Sequence, residues 1–195
     1  MITGVVLCGG NSTRMGSDKG LLQQASQTWA QIAFDKLYAL DIPVVVSINH
    51  TQFETYRIIF SEELLITDND AYDINGPLKG ILSVHKQHPK SDLLVLAVDM
   101  VNMNEDLLHQ LYLYSIQIST ETIVFKHEHQ IEPLCGIYRA KALDKIVELY
   151  EKGELKKHSL HFTLEQLQTV YIDVSTQQKN KFANFNSKSD LQNLH

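Results

Sequence analysis

The chain has 195 residues, two cysteines and a formal charge of −6 at pH 7, a length that suits a single domain over residues 1–195 with roughly 70% of its unfolded surface buried. Its acidic balance and dispersed lysines exclude broad nucleic-acid binding, which needs a basic face, and Cys8 and Cys135 have no C-x-x-C spacing that would suggest a disulfide framework or a zinc centre. The first seven residues carry no basic lead and too short an apolar run for a signal peptide or a membrane span, so a cytoplasmic protein with neither nucleic-acid nor membrane partners is expected.

Residues 2–7 form the first apolar, β-rich run. It leads directly into Cys8-Gly9-Gly10-Asn11-Ser12-Thr13-Arg14-Met15-Gly16-Ser17-Asp18-Lys19. Paired glycines let a backbone turn sharply and bring its N–H groups against an anion. Arg14 and Lys19 add a planar fork and a point charge to the same loop, a combination suited to a triphosphate. The spacing matches neither G-x-x-x-x-G-K-[ST] nor G-x-G-x-x-G, which removes the usual P-loop and dinucleotide assignments. An ordinary glycine turn with solvated cations is the bland alternative, and the preceding strand together with two spaced cations outweighs it.

A helix is predicted over 28–40, with Ile32, Phe34, Leu37 and Leu40 near one another, followed by strands at 43–48 and 64–66. Gly76-Pro77 opens a second helix over 78–88, because proline fits a first turn, where its missing N–H has no partner to lose. Gly80 inside that helix is unexplained by a plain helix start, since glycine weakens a helix by about 1 kcal/mol relative to alanine unless something must approach closely.

The strand at 93–98 ends in Asp99, a carboxylate placed where α/β sheets bind ligands. Asp99 suits Mg²⁺, a hard cation that takes one or two carboxylates with phosphates and water. The alternative, a cap for the helix predicted over 104–116, is weaker because Asp99 lies well upstream of that helix. Strands at 122–125 and 134–138 flank a connection at 126–132 to an antiparallel element. A helix over 140–152, a polar surface excursion at 153–161 and a strand at 170–174 complete the order. His127 with His129, and His158 with His161, have metal-like spacing but no complete ligand set, so solvated surface histidines are expected.

Strands alternating with helices predict an α/β fold, a three-layer Rossmann-like arrangement around a mostly parallel central sheet. Ligands then belong at the strands' carboxyl ends.

The segment from Leu7 to Lys19 resembles the L-x-G-G-x-S-x-R-M-G-x-D-K signature of the molybdenum cofactor guanylyltransferase family. Asp99-Met100 resembles that family's D-M-P step, with Val101 in place of proline. Asp68 and Gly76-Pro77-Leu78-Lys79-Gly80 resemble its D-x(n)-G-P-L-x-G segment. Residues 132–139 resemble its P-L-x-G/A-x-Y-R strand, and residues 182–191 its F-x-N-x-N-T-P-E-D-L ending. The matches occur in family order from residue 2 to residue 191. Gln24 to Trp29 departs from the family's Gly-Lys-Pro-Leu step and lacks its lysine.

The resemblance implies a Mg²⁺-dependent nucleotidyltransferase fold that moves GMP from GTP to the phosphate of molybdenum-bearing molybdopterin. It implies that Arg14, Lys19 and Asp99 are catalytic, with Asp99 on the metal. It places Leu7, Cys8, Gly9, Gly10, Lys19, Asp68 and Asp99 on the nucleotide, and Gly76, Pro77, Leu78, Gly80, Asn184 and Asn186 on the pterin side. Asn186 is read equally as part of a helix opening with Ser187 and Asp190. Implied partners are the two small substrates, with transient contact to cofactor-inserting proteins or molybdoenzymes. A transferase using CTP or a sugar phosphate, and a non-catalytic pterin-binding carrier, remain open.

Overall fold

The structure, a computed structural model, describes residues 1–9 and 18–183. In chain order its strands are β1 (Ile2–Leu7), β2 (Gln23–Gln24), β3 (Gln27–Thr28), β4 (Val44–Ile48), β5 (Leu65–Thr67), β6 (Asp92–Ala97), β7 (Thr122–His127), β8 (Gln130–Tyr138) and β9 (Thr169–Asp173). Seven of them form one sheet in the spatial order β5-β4-β1-β6-β8-β7-β9, and β2 pairs with β3 as a separate ribbon. β1 is parallel to β4 and β6, β4 to β5, and β7 to β9. β8 runs antiparallel to both β6 and β7. The sheet is the mostly parallel one that the strand and helix alternation predicts.

The helices are α1 (Trp29–Tyr38), α2 (Phe53–Tyr56), α3 (Pro77–Gln87), α4 (Glu105–Gln117), α5 (Ala140–Glu151) and α6 (Leu160–Glu165). Successive strand side chains point to opposite faces, and β1 shows the result. Val6 joins Val46, Leu94, Leu96 and the apolar faces of α1 and α4 on one side. Val5 and Leu7 join Val45, Leu93, Val95 and the faces of α3 and α5 on the other. With both faces covered, β1, β4 and β6 read as unbroken apolar runs rather than as alternating ones.

Local chemistry sets the helix starts. Thr28 and Gln31 form a reciprocal capping box at α1. Asn104 accepts from the Leu107 N–H to cap α4, with Glu105 and Asp106 in its first turn, where the helix dipole favours acids. Gly76 precedes α3 at φ +91° and ψ −168°, a conformation essentially reserved for glycine, and Pro77 takes the first helical position.

Two expectations need correction. The stretch 153–161 is more than a polar surface excursion: Leu155 and Leu160 are buried, and Leu160 begins α6, which packs on β8. Six residues of helix are too short to show a period. His127 is not a solvated surface histidine. It is 6% exposed, its Nε2 lies 2.9 Å from Glu132 Oε1, and Phe182 closes over it at 6.3 Å between rings. The predicted connection at 126–132 is mostly strand, since Lys126 and His127 pair with Ile131 and Gln130 in the β7–β8 hairpin, and only Glu128 and His129 make its turn, with Glu128 in the left-handed region at φ 53°.

Candidate active site

The carboxyl ends of β5, β4, β1 and β6 lie side by side and are followed in turn by Asp68, Asn49, Cys8-Gly9 and Val98-Asp99. With neighbouring strands about 4.8 Å apart, the row from Asp68 to Asp99 spans roughly 14 Å. β4 and β5 lie to one side of β1 and β6 to the other, so the β1–β6 junction is a topological switch point, the place where open α/β sheets bind ligands.

Lys19 and Asp99 meet at that junction. Lys19 Nζ donates to Asp99 Oδ2 at 2.8 Å, with side chains 18% and 16% exposed. Asn104 caps α4, so Asp99 is not the cap that the alternative reading required. Val101, which stands where the family pattern has proline, is held differently. Its carbonyl accepts from Lys36 Nζ of α1 at 2.5 Å. Burial lowers the Lys36 pKa to about 8, with Glu105 acting against the shift and Lys181 with it.

At the other end of the row lies a cleft lined by Leu7, Gly9, Asn49, Asp68, Gly76 and Gly80, among other residues. Asp68 reaches between two glycines: its Oδ1 is 3.9 Å from where a Cβ on Gly9 would stand and 3.8 Å from one on Gly80. Burial raises the Asp68 carboxyl above its ordinary range, while Lys79 and His50 oppose the shift and Asp70 adds to it. Gly80 is explained by close approach, because a Cβ there would stand 2.6 Å from Ser47 Oγ and 3.3 Å from Leu7 Cδ2. Ser47 Oγ is fully buried and has no hydrogen-bond partner.

The start of the glycine loop is arranged differently from the expectation of free N–H groups. Cys8 and Gly9 both donate to the Ser47 carbonyl, at 2.9 and 3.1 Å, and the Leu7 carbonyl accepts from Val98. These groups stitch β1 to its neighbours, leaving the glycine Cα surface to the cleft. Gly10 and Arg14, with Asn184 and Asn186, lie outside the described residues. Gly76 and Gly80 border the same cleft as Asp68 and Gly9, together with Pro77, whereas Leu78 is fully buried in the core beneath α3.

The loop returns to the described chain at Asp18, a residue with no assigned role in the sequence. Its Oδ1 accepts from Gly20 N at 2.9 Å and from the Tyr56 hydroxyl at 3.1 Å, and its Oδ2 accepts from Gln52 Nε2 at 2.6 Å. Ser47, Asn49, Gln52 and Tyr56 also escape sequence reasoning, whereas Lys79 lies in the Gly76–Gly80 motif and lines the cleft. The Asn49-x-x-Gln52 spacing, a capping box in the structure, is the one local signal that could have pointed to any of them.

The mostly parallel sheet, the cation–carboxylate pair at its switch point and the adjoining cleft, taken with the family match, place the chain among the nucleotidyltransferases. The chain belongs to the MobA-like NTP transferase domain family, whose model matches residues 4–169. A molybdenum cofactor guanylyltransferase from Campylobacter jejuni is 27% identical over 182 residues, covering 93% of this chain and 89% of that protein. A probable molybdenum cofactor guanylyltransferase from a Geobacillus species is 28% identical over 171 residues, covering 85% and 87%. Among solved structures, molybdopterin-guanine dinucleotide biosynthesis protein A from Archaeoglobus fulgidus superposes with a TM-score of 0.80 at 23% identity, covering 98% of this chain and 96% of that one. That likeness carries the fold.

Proposed function

We propose that the chain acts as one nucleotidyltransferase unit over residues 1–195 and transfers GMP from GTP to the terminal phosphate of molybdenum-bearing molybdopterin. An acceptor phosphate oxygen forms a bond to the GTP α-phosphorus, the bond from that phosphorus to the bridging oxygen breaks, and pyrophosphate leaves. The acceptor is ionised at neutral pH, so the reaction needs alignment and charge neutralisation rather than a general base. The observation that carries the reading is the Lys19–Asp99 pair at the switch point, one end of a row whose other end is the Asp68 cleft.

In this reading the guanine and ribose occupy the cleft between Asp68, Asn49 and Gly9, and the phosphates run over the end of β1 toward Lys19, with Arg14 assigned to them by the motif resemblance alone. Those cations stabilise charge on the transferring group and the departing pyrophosphate. The pterin is assigned to the Gly76, Pro77 and Gly80 rim of the same cleft, with Asn184 and Asn186 by resemblance, while Leu78 is buried in the core and offers it no surface. The guanine and the pterin acceptor come from the names of the relatives and from the motif resemblance.

A single carboxylate, with one oxygen held by Lys19, is no cage for a bare dication, and no group of three metal-ligating side chains occurs among the described residues. That donor set fits Mg²⁺, which keeps several waters and is shared with substrate phosphates. Asp99 would hold it, and the ion would supply charge neutralisation at phosphate oxygens. No helix among the described residues is long and apolar enough to cross a membrane, and a cytoplasmic site of action accords with the substrates.

The test is a nucleotide panel. Purified protein, Mg²⁺ and molybdenum-loaded pterin are mixed with α-labelled GTP, CTP or ATP, and label transfer and pyrophosphate are measured. Transfer from GTP is expected. Transfer from CTP alone overturns the guanine assignment, and GTP binding without pyrophosphate release turns the reading toward a carrier.

A further inference from the structure

Three polar side chains behind the active edge take no direct part in the proposed transfer, yet they join its parts. Gln52 is 8% exposed and all of its amide groups are engaged. Oε1 accepts from the Asn49 N–H at 2.8 Å, while Nε2 donates to the Cys8 carbonyl at 3.1 Å and to Asp18 Oδ2 at 2.6 Å. Tyr56 is fully buried and donates from its hydroxyl to Asp18 Oδ1 at 3.1 Å. The Cys8 thiol is also a hydrogen-bonding neighbour of that hydroxyl.

Cys8 and Asp18 stand on the two sides of the glycine-rich loop. The cluster therefore ties the outgoing and returning chain to each other, and both to Asn49 on the wall of the cleft. The next residue after Asp18 is Lys19, whose ammonium reaches Asp99. The packing leaves little freedom: a Cβ on Gly20 would stand 2.0 Å from Tyr56 Oη, so the chain beyond Lys19 is pressed directly against the tyrosine hydroxyl. Buried polar networks with every member satisfied rigidify the backbone they hold.

We propose that Tyr56 and Gln52 are positioning residues that clamp Asp18 and thereby set Lys19 against the nucleotide's outer phosphates. The clamp acts through Lys19 and touches no reacting atom. The proposal rests on the reading of Lys19 as a phosphate-binding group and is independent of the acceptor's identity. Because Tyr56 hydrogen-bonds to Asp18 and neighbours the Cys8 thiol but makes no hydrogen bond to Asn49, its removal separates the phosphate arm from the base cleft. Gln52 serves both.

The experiment measures equilibrium binding of GTP and of GMP, each with Mg²⁺, to the full chain and to the variant Tyr56→Phe. Asp18→Asn serves as a second variant, since its amide keeps an acceptor for Tyr56 and Gly20 but faces Gln52 Nε2 with a donor. Urea unfolding monitors the fold of each. The expected result is that wild type binds GTP at least about tenfold tighter than GMP, a difference of about 1.4 kcal/mol. In the variants that ratio falls toward one while GMP affinity stays within about twofold. A parallel loss of both ligands, an unchanged ratio, or a wild-type ratio of one overturns the proposal. Should the panel show another preferred base, the same ratio is read with that base's triphosphate and monophosphate, so failure of the guanine assignment and failure of the clamp give different results.

Discussion

Lys19 Nζ lies 2.8 Å from Asp99 Oδ2, joining positions 80 residues apart in the chain. The contact arises from the sheet register. β1 and β6 are parallel, with Leu7 opposite Ala97, so the chain leaving β1 and the chain leaving β6 emerge side by side. With less than a fifth of either side chain exposed, the pair interacts with limited solvent screening, and in the proposed reaction a polyphosphate arriving there would meet the carboxylate and the ammonium together.

Asp99→Asn keeps a side chain of the same shape that can still accept from Lys19, but it removes the charge a hard cation prefers. Turnover measured as pyrophosphate release should fall about 10²–10³-fold, equivalent to about 2.7–4 kcal/mol of transition-state stabilisation. The urea midpoint should move little. Lys19→Arg should also lose most of its activity, because a planar fork cannot replace a compact ammonium at this separation. Turnover of Asp99→Asn within tenfold of wild type would remove Asp99 from the metal role.

Gly80 and Ser47 should be energetically coupled. Alanine at position 80 improves helix propensity by about 1 kcal/mol but places its Cβ 2.6 Å from a fully buried hydroxyl. Overpacking of this kind typically costs about 1–3 kcal/mol, so a net loss of stability is expected for Gly80→Ala. Ser47→Ala deletes an oxygen that makes no hydrogen bond, so it should be nearly neutral by itself. Combined, the two changes should recover about 1 kcal/mol relative to the sum of the single effects in a double-mutant cycle. Strict additivity would show that the contact exerts no strain.

Much of this architecture is legible in the chain because its information is local. β1, β4 and β6 are buried on both faces and appear as apolar runs, and Asp99 is marked by its place just after such a run. Gly80 betrays a close approach by being a poor helix residue. Ser47 carries no comparable mark, and Asn49 and Gln52 are marked only by their capping spacing, which signals a helix start rather than a site. Ser47 enters the site only because it pairs with Leu7 across the β1–β4 register, a relationship between strands forty residues apart. His127 is misjudged for a similar reason, since its cover is Phe182, more than fifty residues later. The β2–β3 ribbon and the four-residue α2 are too short for any period to be read.

Asp68 should impose a distinct pH dependence. Burial is the main cause raising its pKa from 3.8 in the folded protein, so the native state holds the proton more tightly than the unfolded chain. Between the unfolded and folded pKa values the native state binds more protons, and stability therefore falls as pH rises through that interval. Asp68→Asn should remove this contribution. Unfolding free energies of the two proteins, measured at several pH values upward from about 3.8, should converge at the acid end and separate in favour of the variant above it. A variant that retains the full wild-type slope would assign the dependence to another group.

The two thiols offer a probe of local opening around the loop. Cys8 and Cys135 are both buried, and burial is the main cause raising each thiol above its ordinary pKa. A thiol must ionise to react, and these two are disfavoured from ionising in the native state. Neither should be alkylated by iodoacetamide at pH 8 on the timescale of a free thiol, and both should react fully in denaturant. Cys8 differs from Cys135 in lying beside Tyr56 at one end of the clamp. Tyr56→Phe should accordingly speed labelling of Cys8, read by peptide mass spectrometry, and leave Cys135 at its wild-type rate, because loosening of the loop is a local opening rather than global unfolding. Equal acceleration at both cysteines would mean that the substitution destabilises the whole sheet, and the clamp would then be only a part of the core.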